Sequence, residues 1–204
     1  KQLEFALTSI DSGRAASYLS KRLVKEAIPA DGTGPWIELI AQAGGKTELT
    51  KLFEQLMKND FEEPAMVRAI DALATAQRVR KQKPAGDLNR AGTLLTKSNP
   101  AVQAAAVRLV GAWKLNACIT QLTDLVDKGA DSPIQIAALQ SLQEIGQPSV
   151  AALTRLTRSK NKRIQRQAVI HLVALNPQGA AKPFYQSLAG LQDEQQLLNF
   201  WRQV

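Results

Sequence analysis

The sequence predicts an all-α fold, a right-handed α–α superhelix of about six stacked helical hairpins occupying residues 1–204. Three observations carry this reading. The composition is rich in Ala and Leu and only 5% aromatic, which suits helices packed at short distance better than sheets. An apolar stripe of helical period recurs down the chain at near-regular spacing. Breaks at Asn99-Pro100, Ser132-Pro133, Gln147-Pro148 and Asn176-Pro177 fall between the helical segments, where a proline can open a new first turn.

The stripe is clearest in "AVQAAAVRLVGAW", "PIQIAALQSLQEI" and "RIQRQAVIHLVAL". With Val102, Ile134 and Ile164 as position zero, Ala106, Ala138 and Ala168 stand at plus four, and Val107, Leu139 and Val169 at plus five. Plus eight holds Val110, Leu142 and Leu172; plus eleven holds Trp113, Ile145 and Leu175. Offsets of this kind mark one face of a helix with 3.6 residues per turn. Ala65, Ala69, Ile70, Leu73 and Ala76 extend the ladder upstream, and Trp36, Ile40, Ala41 and Gly44 form a weaker rung before them. Asp193, Leu197, Leu198, Trp201 and Val204 keep step at the far end. Successive zero positions lie 29 to 37 residues apart, the size of a helical hairpin. The first helices of the hairpins are expected at Ala15–Ile28, Thr47–Lys58, Asp87–Lys97, Ala117–Asp127, Ser149–Thr157 and Ala180–Leu191. The longest step contains "RKQKPAGD", so residues 78–87 are expected as a polar linker between two sub-stacks.

Paired helices with a Pro or Asp near the turn, followed by "V-x-x-x-A-V/L-x-x-L", resemble HEAT repeats, and six such pairs cover nearly the whole chain. The segments "SGRAASYLSKRL" and "GPWIELIAQAGGKTELTKLFEQL" are also similar, in order, to the HEAT region of large planctomycete-type haem-binding, sorbosone-dehydrogenase-like proteins. Gly34-Pro35-Trp36-Ile37 matches that family's helix start with Gly in the place of Asp. This wider resemblance implies a bacterial, periplasmic or extracytoplasmic parent in which the chain is a spacer between redox modules. Lys1 in place of Met, and a final apolar run, are read as cuts in a longer polypeptide. A Cys-x-x-Cys-His haem attachment cannot be built from one Cys and one His, so no cofactor is expected in this segment.

Chemistry-bearing residues are few. His171, at plus seven, is expected as a half-buried helix-flank residue, and Cys118 as a small apolar filler. Zinc needs four ligands, usually Cys or His, which the inventory excludes. "ADGTGP" and "AGGKTE" contain glycines but lack the P-loop spacing, and Thr47 is expected near the N-cap of its helix. The acids of "NDFEEPAM" complement a helix start. Trp36, Trp113 and Trp201 are expected in the core. No apolar run approaches a membrane span, no signal-peptide pattern opens the chain, and nothing indicates a small-molecule substrate.

The net charge of +8 is uneven. One basic edge is Arg155, Arg158, Lys160, Lys162, Arg163 and Arg166; a second is Arg78, Arg80, Lys81 and Lys83. A nucleic-acid-binding solenoid should repeat its cations along one face. Offset two instead reads Val67, Ala104, Ile136, Arg166, and offset six reads Asp71, Arg108, Gln140, Ile170. The reading taken is therefore a non-catalytic scaffold or spacer whose partners are proteins, foremost neighbouring domains of the same chain. The basic residues are then solvated turns and helix ends, or an edge meeting an acidic partner. The alternative is a HEAT-like DNA-binding protein or DNA glycosylase using residues 155–166 and 78–83.

Overall fold

A computed structural model describes residues 27–128 and 133–189. The expected helix Ala15–Ile28, the stretch "SGRAASYLSKRL", the rung from Asp193 and Trp201 fall largely or wholly outside the described residues. Within them the chain forms helices α1 (Trp36–Ala43), α2 (Lys46–Met57), α3 (Glu63–Arg80), α4 (Pro100–Trp113), α5 (Ile119–Lys128), α6 (Pro133–Ile145), α7 (Val150–Leu156), α8 (Lys162–Leu175) and α9 (Pro177–Ala189). A 3-10 segment, Leu88–Thr96, precedes α4, and short 3-10 turns open onto α5 and α7. No strand occurs among the described residues.

Local chemistry accounts for the helix starts. Asn99 Oδ1 accepts from the amides of Ala101 and Val102 at the head of α4, and Asn161 Oδ1 accepts from Arg163 and Ile164 at the head of α8. Asn176 Oδ1 accepts from Gly179 N, so α9 opens at Pro177, earlier than the expected Ala180. At α2 the expected role of Thr47 gives way. Gly45 is the N-cap, its amide donating 2.8 Å to Glu48 Oε2, and Thr47 lies exposed in the first turn.

One expected helix takes another form. Leu88–Thr96 is 3-10 rather than α. Gly92 weakens it, and Thr93 and Thr96 turn their hydroxyls onto carbonyls three residues back, at 2.8 and 2.9 Å. Such local bonds compete with the i→i−4 ladder.

The core follows the ladder. The plus-four alanines Ala69, Ala106, Ala138 and Ala168 are all 0% exposed, and Ile70, Val107, Leu139 and Val169 beside them are equally closed. A methyl at this row is what lets one helix lie close on its neighbour. Trp113 is buried and meets Phe53 edge-on, centroids 5.3 Å apart. Trp36, expected in the core, is only half-buried, and Ile37 and Ile40 fill that rung instead. It stands on the first turn of an eight-residue helix.

The chain divides into two compact units, Lys1–Trp113 and Lys114–Val204. In the first, α3 packs between α1 and α4, with α2 and the 3-10 segment alongside. In the second, α6 packs on α5 and α8, and α8 on α7 and α9. Residues 78–87, expected as a linker between sub-stacks, lie inside the first unit, and residues 78–80 are the last turn of α3.

Candidate interaction surface

Polar side chains tie successive hairpins together. Arg68 meets Glu38 (2.8 Å), Arg90 meets Glu54 (2.7 Å), Arg108 meets Asp71 (2.8 Å) and Arg155 meets Asp127 (2.7 Å). Each pair joins equivalent helices of consecutive hairpins, and in each the arginine belongs to the later one. Half-exposed pairs of this kind contribute about 0–1 kcal/mol apiece, so their role is register more than strength. Two glutamines at plus one act within a hairpin instead: Gln103 donates to Leu95 O and Gln135 to Val126 O, each at 2.7 Å, satisfying carbonyls of the preceding segment.

The second basic edge is largely consumed by architecture. Arg80 points inward, and its guanidinium donates to Ile40 O (3.0 Å), Ala41 O (2.9 Å) and Gly44 O (2.8 Å). It caps the C-terminal end of α1, and burial pulls its pKa below the usual arginine value. Lys83 Nζ caps α4 through Trp113 O at 2.8 Å. Lys81 Nζ reaches Arg78 O, and Arg78 reaches Arg108 O at 3.4 Å. Cations suit the negative ends of helices.

The first basic edge is different. Arg155 is paired with Asp127, and Lys162 reaches only Gln165 Oε1. Arg158, Lys160 and Arg163 are exposed and Arg166 half-buried, and no side-chain hydrogen bond or ion pair engages these four. Arg155 and Arg158 sit favourably at the C-terminal end of α7. Lys162, Arg163 and Arg166 sit at the N-terminal end of α8, where the helix dipole opposes positive charge. Ile164 between them is buried, as the ladder requires. Tyr185 on α9, missed by the sequence reading, is 70% exposed and leans on Phe184.

The residues considered for catalysis do not assemble. His171 is buried, not half-buried, because Gln143 of α6 gives its Nδ1 a hydrogen-bond partner inside the interface. Nε2 has no partner, and burial lowers the imidazole pKa from 6.5. Cys118 is buried and its thiol pKa is pushed up by desolvation, the reverse of an activated nucleophile. The "ADGTGP" loop is closed upon the protein: Asp31 Oδ1 accepts from Thr33 N, and Arg68 donates to Gly32 O. A Cβ on Gly32, at φ +70°, would lie 2.8 Å from Ala65 Cβ, so only glycine fits. Among the described residues no cluster of His, Cys, Asp and Glu could hold a metal, and no helix is long and apolar enough to cross a membrane.

Hairpins of this length, stacked through a closed alanine row, define a known repeat class. Residues 88–174 match a family model of HEAT repeats. The expected fold class thus holds: the chain is all-α and HEAT-like. The matched HEAT segment runs from the 3-10 helix to the end of α8 and includes the whole first basic edge. No curated protein and no solved structure gives a significant match. The HEAT match lends no support to the resemblance to haem-binding, dehydrogenase-like proteins.

The buried His171 gives the HEAT-like stack an acid sensitivity. Its folded pKa lies below the unfolded value of 6.5, so the unfolded chain takes up the proton first. Its penalty is absent above that pH and grows as pH falls, levelling off below the folded pKa. Urea melts of wild type are expected to lose stability as pH falls below 6.5, and His171→Gln to flatten that slope. Equal slopes in the two proteins would refute the assignment.

Proposed function

We propose that this chain is a non-catalytic HEAT-like module that presents surface to protein partners, foremost neighbouring domains of its own polypeptide. One observation carries the reading: side chains that might do chemistry are engaged in joining hairpins. Arg68, Arg80, Arg90, Arg108 and Arg155 clasp carboxylates or cap helices, and His171 is locked against Gln143. The module needs no cofactor of its own. The wider resemblance adds a redox parent with this segment as spacer. Its test is the coding sequence on either side, which should contain a Cys-x-x-Cys-His motif.

The rival is a HEAT-like DNA-binding protein or glycosylase. It requires an exposed Trp beside a free carboxylate, whereas Trp113 is buried, Trp36 is half-buried and Glu38, two residues on from it, is held by Arg68. The test is binding of labelled duplex and single-stranded DNA across a salt series, with base release from damaged duplex followed in parallel. Only weak, salt-sensitive binding without base release is expected. Turnover, or tight binding at physiological salt, would overturn the module reading.

A further inference from the structure

The arginines of the described residues fall into two groups. Arg68, Arg78, Arg80, Arg90, Arg108 and Arg155 each donate to a carboxylate or a carbonyl. Arg158, Arg163 and Arg166 engage nothing, and all three lie at the α7–α8 corner with Lys160 and Lys162. No carboxylate of this unit is left for them among the described residues: Asp127 holds Arg155, and Asp124 and Glu144 are engaged. Lys162, Arg163 and Arg166 also stand where the dipole of α8 disfavours them. A corner that keeps unpaired guanidinium groups at a cost in stability is poised for an anionic partner.

We propose that the α7–α8 corner docks an acidic polypeptide segment, whose carboxylates are clasped by Arg158, Arg163 and Arg166. This rests on the reading of the chain as an interaction module and names the partner's chemistry. Elsewhere the chain uses exposed arginine in this way four times, each time on a carboxylate of an adjacent helix. The planar fork of guanidinium matches a carboxylate in two bonds. Nucleic acid fits less well, because the cations end at one corner. The equivalent turn before α3 carries Asp60, Glu62 and Glu63 instead, so a phosphate backbone would find no continuing track. Among the described residues Tyr185 makes no hydrogen bond or ring contact with the corner.

The test uses the whole 204-residue chain and fluorescence anisotropy with a short Glu-rich peptide, its Gln counterpart, and single-stranded and duplex oligonucleotides. The Glu-rich peptide should bind at low salt, weaken as salt rises and exceed the Gln peptide. Arg163→Glu/Arg166→Glu should weaken it at least about tenfold. The charge-matched Lys46→Glu/Lys58→Glu, at exposed sites of the other unit, should change it less than about threefold. Because Arg163 opposes the dipole of α8, the corner variant should melt no lower than wild type. No peptide binding, equal loss in both variants, a corner variant that melts lower, or tighter oligonucleotide binding through the same residues would each overturn the proposal. The first three outcomes involve neither base release nor binding to DNA and leave the module reading standing, whereas the fourth, if tight at physiological salt, overturns both.

Discussion

Arg80→Ala is expected to destabilise the first unit by about 2–3 kcal/mol, the largest effect of any surface-derived residue in the chain. Helix α1 has only eight residues and could not persist alone. Of its last carbonyls Ile40 O accepts from the C-cap amide of Gly44, those beyond it lack intrahelical donors, and the chain turns sharply at Gly44, where a Cβ would lie 2.7 Å from Ile40 O. Three N–H groups of one guanidinium meet Ile40 O, Ala41 O and Gly44 O within 3.0 Å. Removing them leaves Ala41 O and Gly44 O short of a donor, whereas Ile40 O keeps the amide of Gly44 at 2.9 Å. Arg80→Lys places a single ammonium where a fork is needed and should recover less than half the loss. Denaturant melts read the effect, and hydrogen exchange should place it in α1. A change in Arg80→Ala below about 0.5 kcal/mol would show that water replaces the cap without penalty.

Ala138→Leu is expected to cost about 1–3 kcal/mol by overpacking. Ala138 is fully enclosed on α6, with Leu139 and Leu142 equally closed beside it. Three added carbons must displace α5 or α8, the helices that α6 packs upon. Ala137→Leu, one residue off the stripe and half-exposed, makes the same chemical change and should stay within about 0.5 kcal/mol. The pair therefore tests the register as well as the energy. Equal costs at both positions would mean that the alanine row does not set helix approach. Because stability in stacked repeats is shared between neighbours, the loss should fall in the second unit, with Arg80→Ala acting on the first.

The ladder could be read in the sequence because period and spacing are local properties. Every zero-to-eleven position from Ala65 to Leu175 named for the core is buried, except Ile134 and Leu175 at half-exposure. The 3-10 form of Leu88–Thr96 could not be read the same way. Over nine residues, an apolar stripe serves i→i+3 and i→i+4 helices nearly alike. Arg80 and Lys83 show their charge in the sequence, but not the carbonyls 30 to 40 residues away that they cap. His171 stands beside the plus-eight row as expected, yet its burial depends on Gln143, one hairpin earlier. The column of Gln103, Gln135 and Gln165 was visible at plus one and carried a signal not used. The first two serve as caps, whereas the third is held by Lys162.

The direction of the four ion pairs has a consequence for how such a chain can be rebuilt. The four pairs fall at three hairpin junctions, two of them at the same one, and at each the cation comes from the later repeat and the anion from the earlier. A hairpin copied in tandem would not reproduce them: a second copy of residues 46–80 would set Asp71 against its own copy, where the chain sets Arg108 against Asp71. A graft taken from this chain should therefore be cut so that the donor and acceptor of a junction travel together.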